Sequence, residues 1–218
     1  MIALERVTKR YPVAGARHTV LDDVTVDLAA ERGFAILGRN GSGKSTLVRL
    51  LSGVEVPDRG RIRRKVRVSW PLGLGSAFQP SLTGRDNIRF VARIYACDVD
   101  EMVRRTEDFA ELGRHLDAPL ATYSSGMKAR LAFGLSLSID FDVYLIDEVT
   151  EVGDERFRGR SREAFAAKAG RAKVIIVSHS ERTIREYCDR AAILEGGKIH
   201  AFDSLAEAYA EYRRILKR

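Results

Sequence analysis

Apolar and polar residues alternate in two segments near the start of the chain, at residues 2–10 and 19–28. This alternation is typical of strands that bury one face and expose the other. A turn sequence that contains Pro12 and Gly15 lies between the two segments. The pattern therefore predicts a pair of antiparallel strands at the amino-terminal end.

Short apolar runs alternate with helical patterns through the rest of the chain. The predicted strands lie at residues 34–37, 143–146, 174–177, 191–194 and 198–202. One predicted helix begins near Lys44. The other predicted helices span residues 126–137, 156–169, 181–188 and 205–218. Gly196 and Gly197 predict a hairpin turn between the last two strands. Because strands that alternate with helices usually pair in parallel, this order predicts an α/β fold with a mostly parallel sheet.

Capping sequences predict two more helices in the middle of the chain. Thr83 precedes a helical pattern that runs to Tyr95, and Asp98 precedes one that ends near Leu112. Threonine and aspartate at such positions accept hydrogen bonds from the first-turn N–H groups. We expect these helices to form a helical subdomain, roughly residues 80–140, inserted into a single domain that spans the whole chain.

A glycine-rich segment follows the first strand of the predicted parallel sheet and precedes a helix. Residues 38–45 read GRNGSGKS and fit the phosphate-loop pattern GxxxxGK[ST]. Glycines allow successive backbone N–H groups to face phosphate oxygens, and the helix start favours negative charge. The lysine is expected to bridge the outer phosphates, and the serine after it to bind Mg²⁺. The predicted phosphate-binding residues are Gly38, Arg39, Asn40, Gly41, Ser42, Gly43, Lys44, Ser45 and Thr46.

Two carboxylates end the apolar strand predicted at residues 143–146. Buried acids are costly unless a cation or a reaction needs them, although a strand that ends in Asp-Glu is also compatible with an ordinary turn. The phosphate loop upstream favours the functional interpretation. We expect Asp147 to contribute to Mg²⁺ binding and Glu148 to orient and polarise an attacking water.

Residues 123–127, YSSGM, begin the predicted helix 126–137, and alone they indicate only a helix cap. Together with the phosphate loop, the Asp147-Glu148 strand and the later Ser178-His179 pair, their order resembles the ABC ATPase family. The resemblance implies a P-loop NTPase fold of the ABC type, with a parallel core, an amino-terminal antiparallel β-subdomain and the inserted helical subdomain. ATP and Mg²⁺ are the implied cofactors.

The resemblance also implies a head-to-tail dimer in which each ATP lies between one phosphate loop and the partner's signature motif. The motif YSSGM departs from the common form LSGGQ, because Ser125 replaces the first glycine and Met127 replaces the glutamine. The Ser124 hydroxyl and the Gly126 N–H, which are expected to touch the γ-phosphate, are retained. We therefore expect Ser124, Ser125 and Gly126 to bind nucleotide and hydrolysis to survive the departure.

Further roles are implied residue by residue. His179 resembles the switch histidine that contacts the γ-phosphate, so the implied catalytic set is Glu148, His179 and Lys44. Gln79 resembles the glutamine that senses Mg²⁺ and the membrane subunit. Tyr11 resembles the aromatic residue that stacks on adenine, and Asp154 resembles a residue of subunit communication. The remaining histidines match no family position and are expected to be surface or packing residues; they are His18, His115 and His200.

Several phrases, among them SWPL at residues 69–72 and LTGRDN at residues 82–87, are similar to the ATP-binding subunits of bacterial polysaccharide exporters. Within that group, the capsular polysaccharide exporters are the most similar. The resemblance implies an ATPase that powers export of a polysaccharide across the cytoplasmic membrane. It also implies an integral membrane permease as partner and a peripheral location on the cytoplasmic face of the inner membrane.

Composition limits these interpretations. The chain has 218 residues, of which 45% are hydrophobic, and a net charge of +7. Its longest apolar runs are far shorter than the roughly 20 residues that cross a bilayer, so another chain must form any membrane path. Cys97 and Cys188 predict neither a disulfide framework nor a zinc site.

The positive charge also suits a soluble ABC ATPase that acts on nucleic acid or ribosomes. Such relatives carry two cassettes or a long coiled coil, whereas this chain has one cassette and no sustained heptads between residues 54 and 122. We expect no nucleic-acid partner. An ABC exporter of another substrate stays an alternative, and a non-hydrolysing nucleotide sensor is disfavoured by the presence of Glu148 and His179.

Overall fold

The computed structural model describes residues 2–13, 15–72, 78–147, 155–178 and 180–217. The chain divides into two compact units. One, here called the core unit, comprises Met1–Pro71, Phe141–Glu148 and Arg171–Arg218. The other, here called the helical unit, comprises Leu72–Asp140 and Val149–Gly170.

All strands of the described residues belong to the core unit. They are β1 (Ile2–Val13), β2 (Ala16–Asp27), β3 (Gly33–Leu37), β4 (Arg59–Arg64), β5 (Val68–Pro71), β6 (Val143–Asp147), β7 (Lys173–Val177), β8 (Arg190–Glu195) and β9 (Lys198–Phe202). The core unit also contains three helices. They are α1 (Lys44–Ser52), α6 (Glu181–Tyr187) and α7 (Leu205–Leu216).

The larger sheet has the strand order β5-β6-β7-β3-β8-β9. All neighbours pair in parallel except β8 and β9, which form the hairpin. Strand β3 lies between β7 and β8, and all five of its residues are buried. Because parallel strands end at the same edge of a sheet, the loop after β3 and the end of β6 share the edge where ligands bind in this fold class.

The smaller sheet is antiparallel, with the order β2-β1-β4. The predicted pair, β1 and β2, is confirmed, whereas the sequence pattern did not predict β4 or β5. Strand β4 reads RGRIRR, so it lacks the apolar alternation that identifies a strand. It forms because β1 offers a pairing edge, with Leu4 opposite Ile62, and Ile62 packs against the core.

The helical unit consists of α2 (Gly84–Ile94), α3 (Val99–Ala110), α4 (Ser125–Ser138) and α5 (Glu155–Ala169), with 3₁₀ turns at Gly113–Asp117 and Leu120–Thr122. The predicted caps are present: the Thr83 hydroxyl accepts from the Asp86 N–H at 3.0 Å. The Asp98 carboxylate accepts from the Glu101 N–H at 2.7 Å. Across the described ranges, no helix is long and apolar enough to cross a membrane.

One carboxylate fixes the entry into the central strand. Asp189 lies between α6 and β8, and its oxygens accept the backbone N–H groups of Glu31, Arg32 and Gly33 at 3.1, 3.2 and 3.0 Å. Burial alone would raise the pKa of Asp189, but these three N–H donors favour the ionised form and hold the pKa below its usual value.

This arrangement predicts a pH-dependent contribution to stability. A carboxyl group whose pKa is lowered on folding stabilises the protein above its unfolded pKa of about 4, and that stabilisation is lost as pH falls through the folded value. Asp189→Asn is therefore expected to lower the free energy of unfolding by about 1–2 kcal/mol at neutral pH. Chemical denaturation at pH 7 and at pH 3 measures the effect, which should shrink at the lower pH. An equal loss at both pH values would contradict the account.

Candidate functional site

The loop between β3 and α1 has the backbone of a phosphate-binding turn. Gly41 and Gly43 adopt φ angles of +78° and +103°, in the left-handed region that favours glycine. A side chain at Gly43 would also collide with Val20 of β2. Glycine at position 43 is thus required both by backbone conformation and by close contact with the neighbouring strand.

The side chain of Lys44 lies against the backbone of this loop. Its side-chain ammonium donates to the carbonyl oxygens of Gly38 and Arg39 at 2.8 and 3.0 Å, and the residue is only 9% exposed. Helix α1 begins directly after the loop, and its first hydrogen bond runs from the Leu47 N–H to the Gly43 carbonyl at 2.9 Å. A buried cation and the amino-terminal end of a helix therefore converge on one loop, which is the arrangement that binds phosphate.

The opposite side of the loop is braced by the carboxyl-terminal helix. Gly38, Arg39 and Ser42 line a cavity of about 240 Å³, and Tyr212 of α7 donates its hydroxyl to the Gly38 carbonyl at 3.1 Å. Within the described part of the chain, the buried Ser42 hydroxyl has no hydrogen-bond partner. Ser42 lines this cavity and not the larger cleft on the other face of the loop.

A cleft of about 580 Å³ opens on the other face of the loop. The loop and the start of α1 contribute the lining residues Asn40, Gly41, Gly43, Lys44, Ser45 and Thr46. Two predicted residues from other elements line the same cleft, namely Tyr11 of β1 and Asp147 at the end of β6. The fold thus brings together three regions that are far apart in the sequence.

The oxygen atoms of Ser45 and Asp147 are the cleft's candidate ligands for a cation. Mg²⁺ prefers oxygen ligands and is usually held by one or two protein groups together with substrate phosphates and water. Over the residues that the structure describes, no group of three or more His, Cys, Asp or Glu side chains could hold a metal ion. One hydroxyl and one carboxylate match the one or two protein ligands of Mg²⁺ that is bound together with a nucleotide.

Tyr11 is held at its hydroxyl end. It donates to Glu55 at 2.6 Å, and the same carboxylate lies 2.9 Å from the Lys9 ammonium and 3.2 Å from the Arg49 guanidinium. Burial would raise the pKa of Glu55, but the hydrogen bonds from Tyr11, Lys9 and Arg49 outweigh it and lower that pKa. The tyrosine ring is consequently fixed in the wall of the cleft by an ionised acceptor.

The remaining predicted nucleotide contacts belong to the helical unit. Ser124 caps α4, and its hydroxyl accepts from the Met127 N–H at 3.2 Å. Ser124 and Ser125 are exposed, and Gly126 is partly buried. Gln79 precedes α2, and its backbone is clamped by the buried Asn87 side chain, which accepts from the Gln79 N–H at 2.8 Å and donates to the Gln79 carbonyl at 3.1 Å.

Known proteins identify the family. A family model described as ABC transporter matches residues 21–151. The chain is 48% identical over 215 residues to the capsule polysaccharide export ATP-binding protein CtrD of Neisseria meningitidis, covering 99% of this chain and 100% of the relative. The chain belongs to the ABC transporter family. Other ABC relatives include the ATP-binding protein BexA of Haemophilus influenzae, 48% identical with 100% of both chains covered, and the polysialic acid transport ATP-binding protein KpsT of Escherichia coli, 44% identical with 99% and 100% covered.

Solved ABC structures share the fold. A dimeric ATP-binding cassette in a post-hydrolysis state with ADP and Pi matches with a TM-score of 0.75 at 18% identity, over 93% of this chain and 98% of the other. An ATP-binding subunit of an ABC transporter matches with a TM-score of 0.72 at 23% identity, over 98% and 99%. The predicted ABC-type fold is confirmed, and the family assignment confirms the predicted class of ABC ATPase.

Three predicted residues of the ABC cassette lie outside the described residues. They are Glu148, His179 and Asp154. Conversely, the structure identifies residues that sequence reasoning missed. Asn87 holds the backbone of Gln79, and Glu55 holds Tyr11. His18, expected to be a surface or packing residue, is exposed and lines the cleft. The sequence offered one signal for this position: a hairpin turn is predicted between the two strands that carry Tyr11 and His18, which pair with each other in the sheet.

Proposed function

We propose that this chain is the ATP-binding and ATP-hydrolysing subunit of an ABC transporter that exports capsular polysaccharide across the inner membrane. The observation that carries this proposal is the phosphate-loop cleft with Lys44 and Asp147, in a chain that over its full length is similar to capsule export ATP-binding proteins. That full-length similarity disfavours a soluble ABC ATPase acting on nucleic acid or ribosomes.

In this proposal, different residues of the cleft bind different parts of ATP. The loop N–H groups and the Lys44 ammonium bind phosphate oxygens, and Tyr11 stacks on adenine. Ser45 and Asp147 hold Mg²⁺, which supplies charge neutralisation at the phosphates when it is bound. The proposal is supported by the common cleft that Lys44, Ser45, Asp147 and Tyr11 line.

Hydrolysis requires a positioned water. In the proposal, Glu148 orients and polarises that water, and His179 contacts the γ-phosphate. Gln79 senses Mg²⁺ and the membrane subunit. The proposed role of Gln79 is supported by Asn87, which fixes the backbone of Gln79 through two hydrogen bonds.

Two copies of the chain are proposed to associate head to tail. Ser124, Ser125 and Gly126 of one copy then face the phosphate loop of the other, with Asp154 linking the subunits. The exposed start of α4, where Ser124 already caps the first turn, supports this role because helix N-termini favour anions. ATP binding would close such a dimer and hydrolysis would reopen it.

The transport path belongs to an integral membrane permease. In this proposal the chain binds the permease at the cytoplasmic face of the inner membrane and has only peripheral contact with the bilayer. Support comes from the names of the full-length relatives, which are ATP-binding proteins of capsule or polysialic acid export.

Co-expression of this chain with a candidate integral membrane permease tests the proposal. We expect the two proteins to co-purify in detergent and the complex to hydrolyse ATP at least several-fold faster than the isolated chain. Alanine at Asp147, which removes a proposed Mg²⁺ ligand, serves as the inactive control. If no membrane protein co-purifies and nucleic acid or ribosomes stimulate hydrolysis instead, the export function is wrong.

A further inference from the structure

The end of the β1–β2 hairpin places a second ring beside Tyr11. In the antiparallel register of β1 and β2, Tyr11 lies directly opposite His18. Side chains of directly opposed residues project from the same face of a sheet, about 5 Å apart at their Cβ atoms. Both residues line the same cleft as Lys44 and Ser45. The cleft therefore has a two-residue wall of ring side chains that faces the space above the phosphate loop.

The His18 ring is available to a ligand. The residue is exposed, and across the described residues its imidazole has no hydrogen bond or ion pair. Its neighbour Tyr11, in contrast, is tied down by Glu55, which also binds Lys9 and Arg49. The wall therefore combines one fixed ring with one ring whose polar atoms are free to meet a partner.

The chemistry of this wall suits a base and not a phosphate. The cation that meets phosphate, Lys44, comes from the loop, and the wall offers flat aromatic faces. Stacking of a nucleobase on such faces tolerates different bases and contributes substantially to binding. An imidazole beside the stacked ring can add a hydrogen bond to the base or ribose as donor or acceptor.

We propose that His18 directly contacts the base or ribose of the bound purine nucleotide, and that Glu55 is a positioning residue that holds Tyr11 against it. The inference rests on the proposed binding of ATP in this cleft. Glu55 accepts the Tyr11 hydroxyl at 2.6 Å and does not itself line the cleft, so it acts through Tyr11. The salt bridges of Glu55 to Lys9 and Arg49 set the position of its carboxylate.

Titration calorimetry with ATP and with tripolyphosphate tests the role of His18. Tripolyphosphate reports on the phosphate loop alone, because it lacks base and ribose. We expect His18→Ala to weaken ATP binding about five-fold and to leave tripolyphosphate binding unchanged. His200→Ala, which removes another exposed strand histidine, is the matched control and should change neither.

The outcomes separate the inference from the proposed function. If His18→Ala weakens the binding of ATP and tripolyphosphate equally, or weakens neither, the proposed role of His18 is wrong. ATP binding by the wild-type chain would still support the proposed function. If the wild-type chain binds neither ligand, the proposed function fails and the inference fails with it. Thermal unfolding of each variant shows whether a loss of affinity reflects a loss of fold.

A double-mutant cycle tests Glu55. Tyr11→Phe keeps the ring but removes the hydroxyl, and Glu55→Gln removes the charge of its acceptor. We expect each to weaken ATP binding about three-fold without changing tripolyphosphate binding, and the double variant to lose no more than either alone. Additive losses would overturn the positioning role, because Glu55 would then act independently of the Tyr11 hydroxyl.

Discussion

Replacing Lys44 with alanine is expected to abolish measurable ATP hydrolysis and to weaken ATP binding by at least about 100-fold. The Lys44 ammonium is the buried cation of the phosphate loop, held at 2.8 and 3.0 Å from two loop carbonyls. Its removal eliminates a charge-assisted contact to phosphate, and groups of this kind are worth about 10²–10³ in rate. Phosphate release and calorimetric titration measure the two effects.

Lys65→Ala is the matched control for this variant. Lys65 follows β4 and is exposed, so its removal changes the net charge equally without touching the cleft. The control should retain wild-type affinity and turnover. An Lys44→Ala variant that is folded and hydrolyses ATP within a few-fold of the wild-type rate would show that the phosphate loop is not the site of the reaction.

Glu148→Gln is expected to lower hydrolysis by at least about 100-fold while ATP binding is retained. Glutamine has the shape of glutamate but cannot accept a proton or polarise a water through a negative charge, and such a base typically contributes about 10²–10⁴ in rate. Because ATP would then persist at the interface, the variant should accumulate as an ATP-dependent dimer. Phosphate release and light scattering with and without ATP measure these two outcomes.

The control for Glu148→Gln is the double variant that also carries Lys44→Ala. It should stay monomeric with ATP, since nucleotide at the phosphate loop is needed to hold the dimer together. A Glu148→Gln variant that hydrolyses ATP at the wild-type rate would exclude Glu148 as the residue that activates water. If Glu148→Gln loses hydrolysis but forms no dimer, the head-to-tail arrangement is contradicted, whereas the role of Glu148 in hydrolysis is not.

Local signals predicted much of the fold. The loop at Lys44 was predictable because the strand, glycines and helix start are contiguous, so their geometry follows from neighbouring residues. The caps at Thr83 and Asp98 were predictable for the same reason. Strand β4 was not, because its arginines pair with β1 only in the folded sheet.

The candidate site was predictable only in part. Asp147 ends an apolar strand, and that signal is local. The bond from Tyr11 to Glu55 joins residues 44 positions apart and depends on how the end of α1 meets β1, which no periodicity encodes. The two hydrogen bonds between Asn87 and the Gln79 backbone likewise depend on how the segment before α2 folds back against that helix. The expected roles of Tyr11 and Gln79 came from the family resemblance, whereas the residues that hold them, Glu55 and Asn87, are evident only in the folded structure.

The most direct test of the export function is the amount of capsular polysaccharide on cells that lack this chain. The account predicts that deletion removes polysaccharide from the cell surface and leaves it inside the cell. The wild-type chain should restore it, whereas Glu148→Gln, produced in equal amount, should not. Normal surface polysaccharide in the deletion strain, or restoration by the inactive variant, would contradict the account.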